Sequence, residues 1–122
     1  MKIVKISETE KVNNPHGVDA RKLHDNDNVQ VVHLELKPGD KIIKHAAHID
    51  VFFFVLAGSG IVEIGEEQAE VFEGTLIDSP ANIAHGWHNN SDKPLRILVT
   101  KTPKPTTEQN HQAIQSIKNN LH

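Results

Sequence analysis

Residues 51–64 read Val-Phe-Phe-Phe-Val-Leu-Ala-Gly-Ser-Gly-Ile-Val-Glu-Ile, an apolar run, a glycine turn and a second apolar run. Val51–Leu56 is continuously apolar, which is typical of a strand that is covered on both faces. Gly58 ends this run, and Ile61–Ile64 then leads into a turn at Gly65. The stretch predicts two short consecutive strands in a mainly β protein.

Another strand is predicted over residues 29–36, because apolar and polar side chains alternate in its second half. One face carries three aliphatic side chains: Val32, Leu34 and Leu36. The opposite face carries His33 and Glu35, which we interpret as surface or interface residues. Lys37-Pro38-Gly39-Asp40 then turns the chain, so this strand is expected to be half-buried.

Short runs of this kind continue along the chain, and about eight strands are expected, with a core over residues 29–101. Three glycines are expected between strands rather than inside them: Gly39, Gly58 and Gly74. The spacing of these turns is typical of an antiparallel sandwich or barrel.

The period changes near the C-terminus. Thr106-Thr107-Glu108-Gln109 resembles a capping box, and Ile114, Ile117 and Leu121 recur at helical spacing. One short amphipathic helix is therefore predicted over residues 106–121. Three apolar side chains cannot stabilise it alone in water, so it should lie against the strands or a neighbouring subunit.

Composition excludes several classes of function. With 122 residues and a formal net charge of −3, we expect one domain over residues 1–122 and no nucleic-acid partner. The chain has no Cys, so any metal must bind His, Asp or Glu. Residues 1–8 do not resemble a signal or anchor, and no apolar run approaches the roughly 18 residues of a membrane helix. A soluble, cytoplasmic protein with no membrane partner is therefore expected.

The most unusual feature of the composition is its histidine content, 9 His in 122 residues. One of these histidines lies in a stretch with a recognisable spacing of residues. Gly39 is followed by five residues, His45-Ala46-Ala47, three residues, Val51, six residues and Gly58. This resembles the first motif of the cupin superfamily. In that motif a second His and a Glu, both metal ligands, occupy the positions that Ala47 and Val51 hold here.

A second spacing resembles the other cupin motif. Gly74 is followed by five residues, Pro80-Ala81-Asn82, two residues, His85, three residues and Asn89. Asn82 stands where the family usually has Gly, and Asn readily replaces Gly at positive φ. The resemblance implies an all-β fold, a cupin-like antiparallel barrel or jelly roll with its site in the interior.

In such a barrel the site collects side chains from alternate positions of neighbouring strands. On this reading His45 and His85 point inward and face each other. Five residues are expected to line the ligand pocket around them: Ala47, Val51, Phe53, Trp87 and Asn89.

A metal site needs more than these two histidines, because stable sites usually supply three or four protein ligands. A bulge or loop near residues 44–50 could turn His48 inward as the third ligand, with Asp50 or water as the fourth. The alternative is that His48 and Asp50 are solvated strand-end residues. The predicted metal ligands are therefore His45, His48 and His85, for Fe, Mn, Ni or Zn.

Two functions remain open. The first is a metal-dependent cupin, an oxygenase or isomerase that acts on a small organic acid, phenolic compound or sugar derivative. The second is a metal-free cupin module that binds a small molecule beside Trp87, with the two histidines orienting it. Cupins include enzymes, ligand sensors and storage proteins, so the resemblance alone does not decide whether the protein is an enzyme.

Two further features have alternative readings. His16, Asp19 and Arg21 lie in a loop-like segment and form either a polar lid or substrate contact, or ordinary solvated loop. Phe52 and Phe54 face away from the pocket and need cover, which second-sheet packing or a subunit interface could supply. We expect a homodimer, partly from the family resemblance.

Overall fold

The computed structural model describes residues 1–103 and 106–120. Within them the chain forms nine strands, a short 3-10 helix (Ile6–Glu8) and one α-helix, α1 (Thr107–Asn120). The strands are, in chain order, β1 (Asp19–Asp25), β2 (Gln30–Leu36), β3 (Lys41–Ala46), β4 (Asp50–Ala57), β5 (Ser59–Ile64), β6 (Glu67–Phe72), β7 (Leu76–Ser79), β8 (Ala84–His88) and β9 (Leu95–Thr102). They form two sheets with the strand orders β1-β2-β9-β4-β7 and β3-β8-β5-β6.

Every described strand pairing is antiparallel, and the two sheets pack against each other through one hydrophobic core. This confirms the predicted all-β jelly roll with a short C-terminal helix. The two sheets stay separate in their hydrogen bonding, so the architecture is a sandwich rather than a closed ring of strands.

The run that was predicted to be covered on both faces is β4. Val51, Phe53 and Val55 are buried in the core between the sheets, whereas Phe52 and Phe54 are half-buried on the outer face. Burying a side chain of this kind stabilises the fold by about 1.5–3 kcal/mol. Hydrogen bonding of β4 to both β7 and β9 places it inside the five-stranded sheet, where a continuously apolar strand is stable.

His33 faces away from the core, as the alternation predicts, but the surface interpretation is wrong because its exposed fraction is 2%. The N-terminal segment folds back over this face, held by the guanidinium of Arg21, which donates to the carbonyl oxygens of Ile6 at 2.9 Å and Thr9 at 3.2 Å. Arg96 Nε donates to His33 Nε2 at 3.1 Å. Burial is the main cause that lowers the pKa of His33.

The loop-like segment predicted to contain His16, Asp19 and Arg21 is shorter than expected, because β1 begins at Asp19 and pairs along β2. The sequence did not predict this strand, because its residues, Asp-Ala-Arg-Lys-Leu-His-Asp, are mostly polar. Asp19 and Arg21 form an ion pair at 3.0 Å on the outer face and are therefore not part of a lid over the interior.

The helix begins with the predicted capping box. Gln109 N–H donates to Thr106 Oγ1 at 3.1 Å, and Thr106 N–H donates to Gln109 Oε1 at 2.9 Å. Ile117 is buried and Ile114 is half-buried, while Leu121 lies outside the described residues. The helix lies beside β3, where Asn120 Nδ2 donates to the Lys44 carbonyl oxygen at 3.3 Å. None of the helices within residues 1–103 and 106–120 has the length and apolar character to cross a membrane.

The position of α1 adds an argument for the predicted homodimer. Since the helix lies beside β3, in the other sheet, it does not cover Phe52 and Phe54. We expect a second subunit to pack on this face, burying on the order of 1,200–2,000 Å². Light scattering should then return about twice the chain mass of 13.6 kDa. A monomer mass at micromolar concentration would contradict this expectation.

The prediction that Gly39, Gly58 and Gly74 lie between strands is confirmed. Gly58 has a φ of +82°, and a Cβ there would collide with the carbonyl oxygen of Pro94. Gly39 has a φ of +88° but open space around it, so it is a matched control. We expect Gly58→Ala to lower the free energy of unfolding by about 2 kcal/mol more than Gly39→Ala, measured by urea denaturation. Equal losses would show that only the backbone conformation matters.

Candidate functional site

A cavity of about 410 Å³ opens between the two sheets. Its walls are mainly aliphatic and aromatic side chains of the core: Val32, Leu34, Ile42, Val51, Phe53, Trp87 and Val99. Residues 12–16, Val18 and one side of α1 as far as Ile117 border it as well. A mainly apolar cavity with a few polar groups is the usual form of a small-molecule site.

His45 and His85 lie side by side in this cavity. They are direct partners in the pairing of β3 with β8, and their ring centroids are 4.8 Å apart in an edge-to-face arrangement. The register shifts between Ile42 and His45, so a bulge in β3 precedes the pair.

The backbone determines how His45 presents its ring. His45 Nδ1 lies 2.8 Å from the carbonyl oxygen of Ile43, so this nitrogen carries the proton and donates. Nε2 is then left with a lone pair as an acceptor. Burial lowers the pKa of His45, although its bond to Ile43 opposes the shift, and the ring is therefore neutral at neutral pH.

His85 is held from the opposite sheet. Its Nδ1 shares a buried hydrogen bond of 2.9 Å with the hydroxyl of Ser79, and the direction of this bond depends on the tautomer of the ring. Phe53 packs against the ring edge-to-face, with centroids 5.2 Å apart. Burial, together with His45 and Lys101, lowers the pKa of His85 to about 3.

A third imidazole, that of His16, comes from the loop before β1. Its ring centroid is 5.5 Å from that of His45, and its Nδ1 accepts the backbone N–H of Ile43 at 3.3 Å. Because Nδ1 is an acceptor, the neutral ring carries its proton on Nε2. Burial and the neighbouring His45 lower the pKa of His16 to about 4.

Four of the five predicted pocket residues line the cavity: Ala47, Val51, Phe53 and Trp87. Asn89 does not, because its buried amide donates to the carbonyl oxygens of Leu36 at 2.9 Å and Lys93 at 2.8 Å. Asn89 thereby holds two chain segments together at the end of β8. That the four lining residues contact a ligand stays a prediction.

His48 lies at the rim of the cavity and is exposed. Its Nδ1 and the amide oxygen of Asn82 are 3.1 Å apart. Asp50 Oδ1 accepts the backbone N–H of Ala81 at 2.9 Å. Both side chains bind the loop after β7, and Asn82 has the positive φ, 67°, that its motif position predicts.

Two residues in or beside the cavity, Ser79 and Lys101, were not predicted as part of the site. The alternation in β9 could have predicted that Lys101 faces the interior. Leu95, Ile97 and Val99 are buried, and Lys101 continues the same face. His16 could be named only as one of two alternatives, because nothing local shows that its loop folds over the interior.

The donor set does not fit the metal site that the cupin resemblance implies. No cluster of three or more metal-binding side chains occurs within residues 1–103 and 106–120. His16 presents an N–H rather than a lone pair, and His48 faces Asn82. Lys101, whose charge lowers the pKa of all three cavity imidazoles, also opposes a second cation. Two available imidazoles without a carboxylate are fewer ligands than a stable divalent site uses.

Comparisons with solved structures show the same fold. TT1209 from Thermus thermophilus is 26% identical, with a TM-score of 0.75, over 86% of this chain and 100% of that chain. The polyketide cyclase RemF from Streptomyces resistomycificus is 22% identical, with a TM-score of 0.76, over 92% of this chain and 91% of that chain. At this level of identity the likeness to RemF shows the fold alone.

An uncharacterized protein of Streptomyces coelicolor is 35% identical over 54 residues, which is 44% of this chain and half of that protein's length. The family model described as "Cupin domain" matches residues 32–101, more than half of the chain. These residues run from β2 to β9 and contain both His45 and His85. The chain therefore belongs to the cupin domain family.

Proposed function

We propose that this cupin binds a small organic molecule between the two sheets, with its polar group among the imidazoles and its carbon skeleton against the apolar walls. The observation that carries this proposal is the convergence of His16, His45 and His85 on one cavity of about 410 Å³. In an apolar cavity, a small number of converging polar groups orients the ligand and provides specificity.

The hydrogen bonds of the rings indicate which ligand group fits. His45 offers an acceptor at Nε2 because its Nδ1–H binds the Ile43 carbonyl, whereas His16 offers a donor because its Nδ1 accepts the Ile43 N–H. A hydroxyl both donates and accepts, so one hydroxyl or phenol group could satisfy both rings. Leaving these rings unpaired beside an apolar ligand would cost about 1–3 kcal/mol each.

The same rings favour binding over proton transfer. A general acid or base works best when its pKa is near the working pH. Burial lowers the pKa of His16 to about 4 and that of His85 to about 3, so both are almost entirely neutral at pH 7. They can donate and accept hydrogen bonds but are weak bases.

Metal binding, with oxygenase or isomerase activity, is the second candidate. One observation favours it: His45 Nδ1–H donates to a backbone carbonyl, the arrangement that usually fixes a metal-binding imidazole with Nε2 free. If a metal binds, His45 and His85 would hold it and the remaining ligands would come from water or the organic molecule.

We expect 4-ethylphenol, a neutral probe at pH 7, to shift the NMR signal of the Trp87 indole N–H in a saturable titration. Trp87 is the single Trp of the chain and lines the cavity, so its signal reports directly on occupancy. His45→Leu should weaken binding about two- to tenfold, because it removes the acceptor that receives the phenol hydroxyl.

His88→Leu is the matched control, because His88 belongs to the same strand as His85 but is not among the residues that line the cavity. Its affinity for 4-ethylphenol should equal that of the wild type. A Trp87 signal that stays unchanged at millimolar probe would contradict the proposed function.

Metal analysis separates the two candidates. Because two imidazoles beside Lys101 are a poor divalent site, we expect protein purified without an affinity tag to hold far less than one equivalent of Fe, Mn, Ni or Zn. Elemental analysis measures this directly. One equivalent of metal, lost equally in His45→Ala and His48→Ala, would contradict this expectation and support the three-histidine site.

A further inference from the structure

Lys101 occupies an unusual position for a lysine. It continues the core face of β9 after Val99, lies opposite Val51 of β4 in the sheet register, and lines the cavity. Lysine side chains normally extend into water, and burying an ammonium group without a partner is costly. Burial indeed lowers the pKa of Lys101, and Lys22 contributes to the shift.

The described residues leave Lys101 without a counter-ion. Within residues 1–103 and 106–120 no carboxylate lies within 4 Å of its amine. Asp25 is the one carboxylate among the described residues that line the cavity, and it is 3.4 Å from Lys22. Among residues 1–103 and 106–120 the cavity lining therefore carries two lysines and one carboxylate, an excess of one positive charge.

This charge acts on the imidazoles as well. Lys101 lowers the pKa values of His16, His45 and His85, so its field reaches all three rings. An anion placed between Lys101 and the rings would gain from the lysine charge without meeting any competing negative group on the described walls other than Asp25. In a partly desolvated cavity such an attraction is stronger than in water.

We propose that Lys101 binds the carboxylate of the ligand, so that the molecule held in the cavity is a small organic acid with an apolar skeleton. The inference rests on the proposed function, since it names the chemical class of the ligand in the same cavity. Lys101 would supply the counter-charge, the His16 N–H would donate to a carboxylate oxygen, and His45 Nε2, an acceptor, would bind a hydroxyl hydrogen where the acid carries one.

Matched pairs of an acid and its primary amide test this assignment, because the two members differ in charge but hardly in shape. Suitable pairs are benzoate with benzamide and cyclohexanecarboxylate with its amide, titrated at pH 7 against the Trp87 indole signal. We expect each acid to bind wild-type protein about tenfold more tightly than its amide, as a charge-assisted hydrogen bond predicts.

Lys101→Met removes the ammonium while keeping an unbranched apolar side chain, and Lys101→Gln is a second variant should the first fold poorly. Lys41→Met is the control, because Lys41 is exposed on β3 and is not among the residues that line the cavity. The preference for the acid should disappear in both Lys101 variants and persist in Lys41→Met. Circular dichroism checks that each variant is folded.

The outcomes separate this inference from the proposed function. If acid and amide bind wild type equally, or if the preference survives in Lys101→Met, the role of Lys101 is overturned while the cavity remains a ligand site. Retained binding of 4-ethylphenol in Lys101→Met, together with loss of the acid preference, supports both. If neither the acids, the amides nor 4-ethylphenol shift Trp87, the proposed function fails and this inference fails with it.

Discussion

Antiparallel pairing of β3 with β8 sets His45 directly opposite His85, inside a cavity whose walls are mainly apolar. Two imidazolium ions at a centroid distance of 4.8 Å would repel each other and lose their hydration. Both rings are therefore neutral at neutral pH, as their lowered pKa values indicate. This neutral pair can form directional hydrogen bonds, but it cannot supply the positive charge that an anionic ligand needs.

The loop before β1 adds a third imidazole, that of His16, to the two that the strands supply. Asn14 shapes the loop before β1: its Nδ2 donates to the Val18 carbonyl at 2.8 Å, and its Oδ1 accepts the His16 N–H at 3.1 Å. This side chain replaces hydrogen bonds that a strand would otherwise provide, so the loop keeps a defined shape. The ring of His16 consequently reaches Ile43, and the site combines rigid strand residues with one loop residue, as binding sites often do.

Features of the fold and the site that depend on residues close together in sequence could be predicted, whereas those that depend on residues far apart in sequence could not. The two-residue alternation of strands places Val51 and Phe53 inward, and the local spacing at Thr106 predicts the capping box, because both are short-range properties. His16 and the burial of His33 depend on segments distant in sequence that fold over a sheet, which no local pattern records. The alternation in β9 predicts that Lys101 faces the core, whereas its charge predicts that it faces solvent. The two predictions conflict at that position.

Such a conflict between pattern and residue type is itself informative, because natural sequences place a charge on a core face at a stability cost. Relative to the cupin motif, Ala47 and Val51 replace a neutral imidazole and a negative carboxylate. Val51 therefore removes the negative charge that would favour a metal cation, and Lys101, its register partner on β9, adds a positive one. Neither position therefore favours a cation. On the role proposed for Lys101, the same strands would hold an organic anion in place of the metal that the cupin motif implies.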